Sequence, residues 1–163
     1  MDKITIERIA KAHPMVRESL LKEYQEINSK LPADVRLRFS YVLRTPEEQD
    51  ALFKKRPKVT NAKAWQSVHN YGLAFDIVLL YDKDKNGTFE TAVWNDKDKH
   101  WIEVTNYFKS KGWSWGGDWK NFKDSPHFEK NFGLTWKQMK AMIDSKKFTT
   151  EGGVKYIKLE ELN

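Results

Sequence analysis

The stretch LAFDIVLLY (73–81) is almost continuously apolar, the pattern of a central strand, yet it carries an acid, Asp76. Burying an ionised carboxylate is costly unless it is paired or bound to a metal. His69 lies seven residues upstream, and Gly72 between the two allows a tight turn. An imidazole at the strand entrance and a carboxylate just inside it can therefore point at one spot. Two readings fit Asp76 alone: a partner for a core arginine or a loop, or a metal ligand. A second cluster, Asp124-Ser125-Pro126-His127, ends an aromatic, glycine-rich stretch and favours the metal. His127 supplies a second imidazole, and two His with one carboxylate leave a fourth position for water, as catalytic zinc sites do. Asp124, three residues before His127, is then the spare acid. It suits a general base that takes a proton from the attacking water and later returns it to a leaving amine.

These groups need a scaffold. The chain has 163 residues, 39% of them apolar and 13% aromatic, enough to build the core of one domain spanning 1–163. Ile4, Ile6, Ile9 and Ala10 give residues 3–11 a short helical stripe. Pro14 is placed to start a longer helix along Val16, Leu20, Leu21, Tyr24 and Ile27. Val35, Leu37, Phe39 and Tyr41 alternate with polar residues as in a half-buried strand. Thr45 before PEEQ resembles a helix cap with Pro at the first position. Residues 55–70 read as a loop, TFETAV as a returning strand, 98–111 as a helix, 112–130 as irregular with two short strands, and 134–145 as a last helix capped by Thr135. Helices mixed with a mostly antiparallel sheet, without βαβ regularity, give the class α+β.

The same ten residues, Ser67-Val68-His69-Asn70-Tyr71-Gly72-Leu73-Ala74-Phe75-Asp76, match the S-x-H-x-x-G-x-A-x-D motif of the zinc D-alanyl-D-alanine carboxypeptidase and L-alanyl-D-glutamate endopeptidase family. Asp124-Ser125-Pro126-His127 matches its second motif. His13-Pro14, Leu43-Arg44-Thr45 with Gln49 and Leu52, and the segment GWSWGGDW (112–119) extend the resemblance to bacteriophage L-alanyl-D-glutamate endolysins over about residues 9–145. It implies a small antiparallel sheet flanked by helices, the hedgehog-like fold of these zinc peptidases. It further implies one Zn2+ held by His69, Asp76 and His127, with Asp124 as base. Arg44 corresponds to the family arginine that steadies charge on the scissile carbonyl, and Ser67 and Gln49 fall at supporting or substrate-side positions. Asp rather than Glu at 124 leans toward the endopeptidases. The expected substrate is the peptidoglycan stem peptide, cut between L-Ala and D-Glu beside the muramyl-linked alanine, by a monomer. A lysin of this kind is made in the host cytoplasm and reaches the wall by holin-type release. The expectation includes no separate wall-binding domain, only a short tail after the core.

Other features carry weaker signals. Asp82-Lys83-Asp84-Lys85-Asn86-Gly87 copies the first half of a calcium loop, but Val93 stands where the bidentate Glu belongs. A polar hairpin turn is the plainer reading, and a Ca2+ site at Asp82, Asp84 and Asn86 finished by Glu90 is the other. His100 and His13 read as a surface residue and a helix boundary. Trp113, Trp115, Trp119 and Phe122 read as core and cleft wall before a carbohydrate platform, and Glu129, two after His127, as an exposed strand residue before an outer partner of that histidine. The absence of cysteine excludes a thiol nucleophile and a Cys-ligated zinc finger. No apolar run is long enough to insert in a membrane, and the N-terminal segment lacks the pattern of a secretory signal. The net charge of +6 attracts polyanions. It leaves two rivals in view, a D-Ala–D-Ala carboxypeptidase with the same metal site and a non-catalytic basic module; nucleic acid is not an expected partner.

Overall fold

A computed structural model describes residues 1–162. Helix α1 (Lys3–Ile9) starts at Asp2, whose carboxylate accepts from the Thr5 amide and also takes a two-pronged bond from Arg38. Helix α2 (Pro14–Lys30) has His13 as its cap: Nδ1 accepts from the Met15 amide while Nε2 bonds the Ile157 carbonyl. The expected stripe Val16, Leu20, Tyr24 and Ile27 is buried against the sheet.

Strand β1 (Val35–Tyr41) pairs antiparallel with β2 (Ala74–Tyr81), and β3 (Thr91–Val93) takes the other edge of β2 near its end. The start of that edge belongs to β5 (His127–Glu129), which pairs in turn with β4 (Ser114–Trp115). Every pairing is antiparallel. Helices α3 (Pro46–Lys54), α4 (Lys99–Ser110) and α5 (Trp136–Asp144) complete an α+β fold, α3 and α5 opening with reciprocal capping boxes at Thr45 and Thr135.

Alternation along β2 turns Phe75, Ile77 and Leu79 into the core, all without solvent contact. Phe75 is the hub: it stacks on Phe39 at 4.3 Å and meets Phe128 at 5.2 Å, with Phe108 and Trp113 edge-on at 4.8 Å. Trp113 also donates to Glu23, 2.9 Å away, so this tryptophan belongs to the core.

The stretch expected as a tail is a hairpin. Strands β6 (Phe148–Glu151) and β7 (Val154–Ile157) pair with each other, and Tyr156, Ile157 and Leu159 are buried. Tyr156 donates to the Lys11 carbonyl and His13 reaches Ile157, so this hairpin closes over the α1–α2 corner. Among the described residues, no helix is long and apolar enough to cross a membrane.

Candidate metal centre

The central strand places the acid and its neighbour across the sheet. In the register of β2 with β5, Asp76 lies directly opposite His127. On the other side β1 slips by one residue between Phe39 and Tyr41, so that Tyr41 faces Asp76; bulges of this kind re-aim side chains beside active sites. His69 arrives on a 3-10 turn (Val68–Tyr71) capped by Ser67 and closed by Gly72 at φ +70. A Cβ on Gly72 would stand 2.6 Å from the His13 amide nitrogen, so both the dihedral and the packing demand glycine.

The result is a compact donor set. His69 Nε2 lies 3.2 Å from Asp76 Oδ1, and His127 Nδ1 lies 3.1 Å from the same oxygen. All three ligand atoms fall within 4.8 Å of one another. Donors about 2.05 Å from a tetrahedral cation stand about 3.3 Å apart, so the two distances to Asp76 match those of a zinc-type site. The remaining imidazole nitrogens are also engaged: His69 Nδ1 with the Val42 carbonyl at 2.8 Å, His127 Nε2 with Glu129 Oε1 at 2.8 Å. Each outer partner orients its ring so that the inner nitrogen turns a lone pair toward the shared point. Two imidazoles, one carboxylate and a carbonyl or carboxylate behind each ring therefore fit a divalent metal. The rival reading of Asp76, a core arginine, is not what the structure has there.

Electrostatics follow from this crowding. Burial pushes the Asp76 carboxyl up, but the His69 charge and the hydrogen bonds from His127 and His69 outweigh it and hold the group well below the ordinary carboxylate range. Burial disfavours a charged His127, yet the hydrogen bonds to Asp76 and Glu129 carry it up to about 9. Asp124 moves the other way from Asp76: burial and the Asp76 charge raise it, and His127, His69 and Arg44 only partly offset them.

A cleft of about 490 Å³ opens over the centre, lined among others by Arg44, Ser67, His69, Asp76, Asp124 and His127. Arg44 is fixed from several sides. Its amide donates to the His69 carbonyl, its carbonyl accepts from Asn70, and Nη1 donates to Gln49 Oε1 at 3.1 Å. Its guanidinium lies 4.6 Å from the Tyr41 ring, and its buried Nε has no partner. Gln49 is fully buried and also donates to the Ala62 carbonyl, so it supports Arg44 and touches no substrate space. Ser67 lines the cleft and accepts from the His69 amide. Asp124 is aimed by its amide, which donates to the Gly116 carbonyl, and by its own carbonyl, which accepts from the His127 amide.

Of the two readings of Glu129, the structure has the outer partner of His127 rather than the favoured exposed strand residue. The available signal was its spacing, since residues two apart on a strand share a face. His100 is half-buried at the start of α4, with Nδ1 3.6 Å from Glu103, rather than on the open surface. In the loop after β2, Asp82 accepts from the amides of Asn86 and Gly87, and Asn86 reaches both Asp84 and Glu90. These acids serve the loop's own backbone and polar side chains, remote in the sheet from the cleft residues.

Comparison with known proteins bears on the same segment. Residues 60–130 match the family described as D-alanyl-D-alanine carboxypeptidase. That match holds His69, Asp76, Asp124, His127 and Glu129, while Arg44 and Gln49 lie outside it. The peptidoglycan L-alanyl-D-glutamate endopeptidase CwlK of Bacillus subtilis (strain 168) is 42% identical over 95 residues, covering 53% of this chain and 55% of that protein. The L-alanyl-D-glutamate peptidase of Listeria phage A118 is 33% identical over 91 residues, 55% of this chain and 28% of that one. The matched part thus spans about half the length of the first relative and little more than a quarter of the second. The crystal structure of the Serratia marcescens L-Ala D-Glu endopeptidase ChiX superimposes with a TM-score of 0.53 over 81% of this chain and 90% of that one, at 22% identity. The two share a fold.

Proposed function

We propose that this protein is a zinc endopeptidase that hydrolyses the L-Ala–D-Glu bond of peptidoglycan stem peptides. The observation that carries the reading is the convergence of His69, Asp76 and His127 on one point, with Asp124 and Arg44 on the walls of the same cleft. Zinc bound there supplies Lewis-acid polarisation and makes water nucleophilic near neutral pH. The remaining work belongs to the chain. Asp124 takes the proton of the attacking water, a part that suits a carboxylate held on the cleft wall beside His127. It then delivers that proton to the departing amine of D-Glu. Arg44, braced by Gln49 and Tyr41, offers its remaining guanidinium hydrogens to the oxygen that gains charge.

The names of the relatives support the L-Ala–D-Glu bond, and the phage relative supports a lysin role. Synthesis in the host cytoplasm, holin-type release and action as a monomer are inferred with that role. The description of the matched family favours a second reading, removal of terminal D-Ala by the same centre. Metal analysis of the purified protein before and after chelation, with mass spectrometry of digested muropeptides, tests both. We expect about one zinc per chain and products cut after the muramyl-linked alanine; free D-Ala instead selects the carboxypeptidase. Asp124→Ala should keep its zinc and lose roughly 10²–10⁴-fold in activity, whereas His127→Ala should lose both. Full turnover by Asp124→Ala removes the role given to that residue.

A further inference from the structure

We propose that the loop 119–123, which runs between two cleft-lining residues, Trp119 and Asp124, is a sugar-binding subsite, in which Trp119 and Phe122 receive the muramic acid ring that carries the stem peptide. The inference rests on the endopeptidase reading above. In that substrate the alanine on the acyl side of the cleaved bond is itself joined to the sugar. One residue and the lactyl ether, about 7 Å of extended chain, separate the reacting carbonyl from the sugar ring, so the ring falls on the surface beside the cleft.

The rim offers few free aromatic faces. Tyr41, 42% exposed, already gives one face to the Arg44 guanidinium at 4.6 Å. Trp119 stands over the metal centre, its ring 5.2 Å from that of His127, and remains 37% exposed. Phe122, two residues before Asp124, is 89% exposed and enters no ring pair among the described residues. Its backbone sits at φ +55, a conformation that is unfavourable for a bulky L-residue. Exposure and strain together are unfavourable in the free protein, and no packing offsets them there. A flat apolar partner laid on the ring would.

The loop is also held in readiness. The Trp119 and Asp124 amides both donate to the Gly116 carbonyl, and Trp115 Nε1 donates to the Ser125 carbonyl at 2.7 Å. A Cβ at Gly116 would lie 2.3 Å from the Asp124 carbonyl oxygen, so the two ends of the loop touch. A clamped base lowers the ordering cost of binding. The apolar face of a pyranose stacks on such rings, while Lys120 and Lys123, both exposed, flank Phe122 and leave its faces open.

The test compares two substrates: a disaccharide-linked tetrapeptide, and the same tetrapeptide freed of sugar by an amidase. Phe122→Ala should lower kcat/KM on the sugar-linked substrate roughly fivefold, through KM, and leave the free peptide unchanged. Phe122→Trp should retain the wild-type preference. Equal loss on both substrates, or no loss on either, overturns the subsite while the endopeptidase reading stands. If the wild type cuts neither substrate between L-Ala and D-Glu, that reading falls and takes the subsite with it. The free peptide also controls for folding, since the substituted side chain is in solvent.

Discussion

Glu129 acts on the proposed metal through His127, whose ring it shares with the metal. Its carboxylate holds His127 Nε2 at 2.8 Å, which leaves Nδ1 as the nitrogen facing Asp76 and makes the imidazole a stronger donor. Glu129→Ala releases the ring and should weaken zinc binding about 10–100-fold, read by competition against a chromophoric chelator. Glu129→Gln keeps an acceptor but loses the charge and should fall between. Unchanged affinity in Glu129→Ala would show that His127 is held in place by packing alone. Asp76 and His69 stood out in the sequence because each broke a local rule: an acid in an apolar strand, a histidine beside a glycine turn. Glu129 broke none. On a short strand beside an irregular loop it looked like ordinary alternation, and only the pairing of β5 with β2 gives its face a destination.

At the scale of elements, the turn before β2 is the part most sensitive to change. Gly72 lies at φ +70 and its carbonyl accepts from the His13 amide, whose nitrogen a Cβ would crowd at 2.6 Å. Gly72→Ala should cost more than about 1 kcal/mol in denaturant unfolding and also weaken zinc binding, because the turn it closes aims His69. A loss of stability with metal affinity intact would mean that the turn and the ligand are uncoupled. This turn, the capped helices and the strands β1 and β2 could be read in the sequence, since proline, threonine and runs or alternation of apolar residues act locally. The β1 bulge could not, because it depends on which residues of two distant strands face each other. The hairpin β6–β7 was hidden for a related reason. FTTEGGVKYI is mostly polar with one glycine pair, and its role is to cover His13 and Lys11, more than a hundred residues earlier.

Over the whole molecule, metal and protons compete for the same side chain, and the direction of that competition can be worked out. Without metal, His127 has a folded pKa of about 9, above the roughly 6.5 of an unfolded histidine. A raised value stabilises the fold fully below the unfolded pKa, and that contribution is lost as pH climbs from about 6.5 through 9. Asp76 acts oppositely: its lowered pKa contributes stability above the ordinary carboxylate range and loses it in acid. The metal-free protein should therefore be most stable between these limits and soften above about pH 6.5. Zinc requires the proton of His127 to leave, so its apparent affinity should rise about tenfold per pH unit until about pH 9 and then level. Binding to the folded state alone stabilises it in proportion to the logarithm of that affinity. At a fixed free zinc concentration, the gap in Tm between zinc-loaded and chelated protein should thus widen from pH 6.5 to 9, with the chelated form falling while the loaded form holds. A constant gap across that range would mean that His127 gives up no proton on binding, and that Asp76 and Glu129 do not hold it charged in the empty site.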